Sequence, residues 1–220
     1  ISDLFVIAEQ LGCVWKLEKL CRNKALKAAV EKPENVKLFL NVDGNIIQDK
    51  AFIQGFTNRK AMKAGVPASD IVFEITERSD IENYQILQQI MKHYADQGYE
   101  IALDDVGAGH SGLNRVVNTT PDYLKADIEL VRDIHKYKKK EIMMKLLLDY
   151  CNATGAILIA EGIETVQELE CLHSLGVHSG QGFFLGKLER AFGNISAESE
   201  EILERLNGRK NILFLDISGK

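Results

Sequence analysis

The sequence predicts an α/β fold on a parallel sheet, and three observations lead there. Short apolar runs rich in strand formers recur six times along the 220 residues. Longer segments with helical spacing of apolar residues lie between them. The runs are nearly continuous in hydrophobicity instead of alternating, as strands covered on both faces are, and helices crossing between parallel strands provide that cover. A chain of this length can build one sizeable core, as a barrel or as a sheet domain.

The elements follow in order. "LFLNV" (38–42), "IVFEI" (71–75), "IALDD" (101–105), "YLKA" (123–126), "AILIAE" (156–161) and "GFFLG" (182–186) are the strand candidates. Helical spacing links Trp15, Leu17, Leu20 and Cys21 before the first, which read as core and not as a cofactor box. It links Ile81, Tyr84, Leu87 and Met91 after the second, and Ile142, Leu146, Leu147 and Tyr150 before the fifth. Only three prolines, no low-complexity stretch and no internal repeat argue for one domain.

Composition narrows the function classes. With 27 Lys and Arg against 32 Asp and Glu, the formal charge of −5 gives no general attraction to nucleic acid polymers or anionic membranes. No apolar run approaches the roughly 20 residues that span a bilayer, and no signal peptide is visible. Cys13, Cys21, Cys151 and Cys171 lack CxxC spacing and lie in apolar, helix-like surroundings, so they read as reduced thiols of a cytoplasmic domain. The chain opens on Ile1 instead of Met, and the expectation is that its natural front lies upstream.

The chemistry lies at the strand ends. The runs deliver Asn41, Glu74, Asp104 with Asp105, Lys125 and Glu161, and Gln181 stands just before the last run. In a parallel barrel, residues at the carboxyl ends of strands converge on one mouth, where active sites lie. One polar strand end is unremarkable, but six in succession are hard to explain as turn chemistry. Four carboxylates and an amide oxygen are hard oxygen donors suited to Mg²⁺ or Mn²⁺. Adjacent Asp104 and Asp105 repel unless a cation offsets them, and the following glycines let the backbone turn closely there. Gly107, Gly109 and Gly112 also satisfy a G-x-G-x-x-G dinucleotide pattern, with Asp127 downstream. Two aspartates directly before that turn would repel a pyrophosphate unless metals intervened, and the segment lies mid-chain instead of opening the first unit.

These motifs resemble the EAL family of cyclic di-GMP phosphodiesterases from about Ile1 to Lys187. "LNVD" resembles its asparagine strand, "FEITE" its glutamate strand and "LDDVGAGHSGL" its aspartate pair with glycine-rich loop. "PDYLKAD" resembles its lysine strand, "IAEGIET" its paired-glutamate motif and "GQGFFLGK" its closing segment. The resemblance implies a TIM-like (β/α) barrel with an irregular first strand. It also implies hydrolysis of cyclic di-GMP to the linear dinucleotide pGpG with two Mg²⁺ or Mn²⁺ ions. By the same resemblance Asn41, Glu74 and Asp104 hold one metal, Asp104 bridges to the second, and Asp105 and Glu161 help hold that one. Lys125 touches the attacking water or a phosphate oxygen, while Glu77 steadies the loop after the aspartate pair. Glu164, Gln181 and Gly182 are supporting or substrate-side positions. A structural ion pair between Lys125 and Glu161 is the plainer alternative, and both roles can coexist.

Departures from the family stand beside the matches. Val106 replaces a phenylalanine, Ala108 a threonine and His110 an aromatic residue. His110 reads as a loop surface residue, and losing a threonine hydroxyl removes a supporting hydrogen bond worth roughly 0.5–1.5 kcal/mol. The Glu-Ala-Leu motif itself is absent, and six strands are counted where the barrel needs eight, so the expectation is that the first two precede Ile1. The domain is read as residues 1–208, N-terminally incomplete, and "NILFLDI" (211–217) lies in a strand-like tail or linker at 209–220. "HKYKKK" (135–140) reads as a solvated helix start or, more sharply, a contact for an acidic partner. His93, His135, His173 and His178 show no metal-ligand spacing. The resemblance brings cyclic di-GMP, a second copy of the chain, and upstream or downstream sensory or regulatory domains as partners. Two function classes follow: a metal-dependent phosphodiesterase, or a receptor that binds cyclic di-GMP without cleaving it.

Overall fold

A computed structural model of the chain describes residues 2–34, 36–44, 46–75, 84–107, 112–177, 179–187 and 195–207. Glu77, Ile81, Ala108, His110, His178 and the 209–220 segment lie outside them. The described residues fall into two compact units, divided between Ile101 and Ala102.

The first unit contains α1 (Ser2–Gln10), α2 (Val14–Ala28), β1 (Leu38–Val42), α3 (Phe56–Ala64), β2 (Ile71–Ile75), α4 (Tyr84–Ala95) and the start of β3 (Glu100–Val106). β1 and β2 pair in parallel from Leu38 opposite Ile71 to Val42 opposite Ile75. Every residue of β2 is buried, as its continuous apolar run requires. In β1, Leu38, Leu40 and Val42 are buried and Asn41 is exposed. Helix α4 buries Leu87, Ile90, Met91 and Tyr94, an i, i+3, i+4, i+7 stripe. Tyr94 stacks on Phe73 of β2 with ring centroids 4.1 Å apart.

Helix α2 corrects the sequence reading. Its buried face is Trp15, Glu18, Arg22 and Leu26, whereas Leu20 is 52% exposed and Cys21 is exposed. Leu20 and Cys21 lie off the face that Trp15 begins, and two charged residues occupy it by pairing with each other. Burial pushes the Glu18 carboxyl above its ordinary range, against the pull of Arg22 and of the Asp43 N–H.

The second unit runs from Ala102 and holds the rest of β3, then α5 (Gly112–Val117), β4 (Tyr123–Ala126), α6 (Ile128–Val131), α7 (Lys138–Thr154), β5 (Ile157–Ala160), α8 (Val166–Leu175), β6 (Ser179–Gly180) and α9 (Ala197–Asn207). β3, β4, β5 and β6 are neighbours in chain order, each pair parallel. Such crossovers deliver successive strand ends to one edge of the sheet.

Two expectations fail here for physical reasons. "GFFLG" is not a strand: β6 comprises only Ser179 and Gly180, and the chain then turns, with Leu185 N–H and Gly186 N–H donating to the Gly182 carbonyl. Phe183 is 63% exposed, so the apolar run does not mark burial. In α7 the buried residues are Met144, Leu147 and Cys151, while Ile142 and Leu146 are 53% and 58% exposed. Replacing Leu147 by alanine should therefore destabilise by about 2–5 kcal/mol, and Leu146→Ala by less than about 0.5 kcal/mol. Urea unfolding of both variants checks this; equal midpoints would reverse the assignment of the face.

The cysteines are free, and Cys151 is buried in α7, where burial pushes its thiol up to about 11. "HKYKKK" spans the start of α7, with Lys138 and Lys139 exposed as a solvated helix start requires. Among the described residues no helix is long and apolar enough to cross a membrane.

Candidate metal centre

Successive residues of a strand ordinarily point to opposite faces, so Asp104 and Asp105 should diverge. The β3–β4 ladder prevents this. Leu103 lies opposite Leu124 but Val106 opposite Ala126, so β3 carries one extra residue between them. That is a bulge, a device that re-aims side chains near functional sites. Asp105 absorbs it at φ 56°, a left-handed conformation that aspartate tolerates better than most residues. A ligand oxygen from each of Asp104, Asp105 and the strand-end Glu161 then lies within 4.8 Å of the others.

Lys125 sits in the middle. It is 1% exposed, and its Nζ donates to Asp104 Oδ1 at 2.9 Å and forms an ion pair with Glu161 Oε1. Gln181 Nε2 donates to the same Glu161 oxygen at 2.7 Å. Three carboxylates against one ammonium leave this group net anionic, with Asp104 and Glu161 only 4% and 5% exposed. Hard oxygens at this spacing fit a divalent cation, which spans about 4.8 Å between opposite ligands at about 2.4 Å each.

Backbone bonds hold the surroundings. Glu161 N–H donates to the Ala126 carbonyl at 3.0 Å, Gln181 N–H to the Ala160 carbonyl at 2.8 Å, and Ile163 N–H to the Gln181 carbonyl at 3.0 Å. Gly182 rests on this loop so closely that a Cβ would lie 2.2 Å from the Ile163 nitrogen and oxygen. Its lack of a side chain is thus a packing requirement of the segment that carries Gln181. Glu164 is exposed and receives Arg132 Nη2 at 3.1 Å.

Of the expected residues, the second unit brings together Asp104, Asp105, Lys125, Glu161 and Gln181. In the first unit Asn41 and Glu74 are opposite each other in the β1–β2 register, with Glu74 1% exposed. Asp127, the acid downstream of the glycine pattern, caps α6, its Oδ1 accepting the Glu129 N–H at 2.7 Å.

Sequence reasoning missed Glu168, although the T-x-x-E spacing from Thr165 signals a capping box. Glu168 Oε2 accepts the Glu164 and Thr165 N–H groups at 2.9 and 3.0 Å, and Oε1 accepts the Asp133 N–H at 2.8 Å. One carboxylate thereby ties the loop after β5 to the segment after α6. Burial alone would raise its pKa, but the donated N–H groups of Asp133 and Glu164 and the bonds from Thr165 hold it below the usual 4.5. A depressed carboxyl contributes stability above its unfolded value and loses it as pH falls through the folded one. Glu168→Ala should therefore cost about 1–3 kcal/mol at pH 7. The gap between wild type and variant should close below about pH 4. Urea unfolding across that range checks it; a pH-independent gap would show that the charge is not what matters.

An EAL domain family profile matches residues 1–188. "Cyclic di-GMP phosphodiesterase PdeR" of Escherichia coli is 28% identical over 192 residues, covering 84% of this chain and 28% of that protein. "Cyclic di-GMP phosphodiesterase PdeA" of Borreliella burgdorferi is 25% identical, covering 86% and 28%. The chain thus spans about a quarter of these relatives. Among solved structures, the calcium and cyclic di-GMP complex of Klebsiella pneumoniae BlrP1 superposes with a TM-score of 0.76 at 28% identity, covering 83% of this chain and 47% of that one. A standalone EAL protein of Vibrio cholerae bound to cyclic di-GMP gives 0.75 at 27%, covering 84% and 78%. The α/β fold with parallel strands is the TIM-like one of these domains.

Proposed function

The chain belongs to the EAL domain family, and on that premise we propose that it hydrolyses cyclic di-GMP to the linear dinucleotide pGpG at a divalent-cation centre. The observation that carries this reading is the convergence of Asp104, Asp105 and Glu161 around the bulge in β3, with Lys125 among them. An acid cluster alone repels a phosphodiester, so the site needs cations before its substrate can approach. The relatives named as cyclic di-GMP phosphodiesterases, and a neighbour solved with manganese and cyclic di-GMP, support the same chemistry.

In this reading Asp104, Asp105 and Glu161 would hold Mg²⁺ or Mn²⁺ ions, with Asp104 shared between two of them and Asp105 and Glu161 on one. Asn41, Glu74 and the loop residue Glu77 are carried over on the resemblance alone, the first two as metal ligands and Glu77 as a support. The chemistry such ions supply when bound is a lowered pKa for the attacking water and a clamp on the attacking and leaving oxygens. Lys125, which pairs with Asp104 and Glu161, directs positive charge at a phosphoryl oxygen as negative charge develops there. Gln181 fixes the Glu161 oxygen by donating to it. Glu164, which pairs with Arg132 on the exposed side, and Gly182, which packs beside Gln181, are supporting or substrate-side positions in this reading. A second copy of the chain and sensory or regulatory domains are partners in the same reading.

The test is chromatographic: protein, cyclic di-GMP and Mn²⁺ should yield pGpG, and chelation should stop it. Cyclic di-GMP retained without product would identify the receptor instead. The departures at Val106, Ala108 and His110 are what favour that second reading.

A further inference from the structure

Glu18 is an acid on the core face of α2, 2% exposed, and a buried carboxylate is costly unless its oxygens are satisfied. Arg22, one turn on, pairs with Oε2. Arg22 is itself held firmly: Nη1 donates to Thr57 Oγ1 and Nη2 to the Tyr94 hydroxyl, both at 3.1 Å. Its guanidinium lies 5.2, 5.1 and 5.7 Å from the ring centroids of Trp15, Phe73 and Tyr94. This anchorage engages only one Glu18 oxygen. The other, Oε1, accepts the Asp43 N–H at 2.7 Å. Asp43 is the first residue after β1, two positions beyond Asn41. A pair serving α2 alone would have no need to reach a strand end.

We infer that Glu18 is a positioning residue for Asn41, its carboxylate fixing the chain exit from β1 through the Asp43 N–H while Arg22 holds the carboxylate still. The inference rests on the metal reading of Asn41 given above. Asn41 is the exposed member of β1, so the β2 ladder holds its backbone and packing of its own side chain adds little. The hydrogen bond from Asp43 N–H to Glu18 adds a second constraint, from the helix side, just past the last paired residue of β1. Ligand geometry depends on such outer supports, whose loss typically costs about 10–100-fold in metal affinity or activity.

Removing Glu18 alone would strand a buried arginine, so the test compares two charge-free double variants in the full protein. E18Q/R22M keeps an amide oxygen for the Asp43 N–H; E18A/R22M does not. The E18Q/R22M protein should retain Mn²⁺ affinity near wild type, and E18A/R22M should lose about 10–100-fold. Placed on an Asn41→Ala background, the two should become indistinguishable, since the tether then has no ligand to position. Amide exchange at Asp43 should be faster in E18A/R22M than in E18Q/R22M. Equal Mn²⁺ affinities in the two variants, or losses that simply add to that of Asn41→Ala, would overturn the positioning role. Equal Asp43 exchange would overturn the tether itself, whatever the metal does. A wild-type protein that binds no Mn²⁺, with the Asp43 difference intact, would instead overturn the metal reading and with it Asn41's part in it.

Discussion

Asp104→Asn is expected to abolish tight Mn²⁺ binding while leaving the fold in place. Asparagine has nearly the same volume and keeps an Oδ1 that can accept from Lys125 Nζ, now 2.9 Å away, so packing and one hydrogen bond survive. What disappears is one full negative charge at the residue proposed to bridge two cations. Losing an outer-sphere support costs about 10–100-fold in metal affinity, so losing this ligand should cost at least about 100-fold. Turnover should fall with it. Calorimetric titration with Mn²⁺ and urea unfolding, run side by side, check the two halves. Unchanged Mn²⁺ affinity in a folded variant would remove Asp104 from the centre.

The strands were legible where burial and apolar sequence coincide. β1 and β2 fall on their expected residues because Leu38, Leu40 and Val42, and then the whole run from Ile71 to Ile75, are buried. The last strand was misplaced because hydrophobicity is only a proxy for burial. Phe183 lies in a turn, whereas the two residues that pair, Ser179 and Gly180, carry no apolar signal. The same limit explains α2. A search for apolar stripes skips Glu18 and Arg22, and the clue that remained was an i, i+4 acid–base pair in register with Trp15 and Leu26.

The site divides along a different line. That Asn41, Glu74, Asp104, Lys125 and Glu161 end or nearly end strands could be read from the apolar runs before them. That Asp104 and Asp105 present oxygens within 4.8 Å of each other could not be derived from strand periodicity, which sends them to opposite faces. The bulge and the positive φ of Asp105 bring them to one place. A bulge is a matter of register with β4, a non-local property with no short sequence mark beyond the glycine at 107. Glu168 failed to register for the opposite reason: its signal was local and plain, but it supports the backbone of neighbouring loops and lacks the look of a reactive group.

Lys125→Met separates the two roles that a buried lysine between two carboxylates can hold. Methionine fills similar space without charge, so Asp104 and Glu161 lose the ammonium that pairs with both and lie beside Asp105 without it. Breaking a buried ion pair by removing one partner costs about 3–5 kcal/mol, so the metal-free variant should unfold at distinctly lower urea concentration. Bound Mn²⁺ replaces the missing charge, and a concentration of about 100 times its Kd should return about 2.7 kcal/mol. With stability restored in this way, any remaining defect is chemical. If Lys125 acts on charge that develops only in the transition state, kcat should fall about 10²–10³-fold with KM little changed. A variant that recovers full turnover along with its stability would make Lys125 a structural counter-ion and nothing more. A rise in KM at constant kcat would place its charge on the bound substrate, leaving the step that breaks the phosphodiester to the carboxylates and their metals.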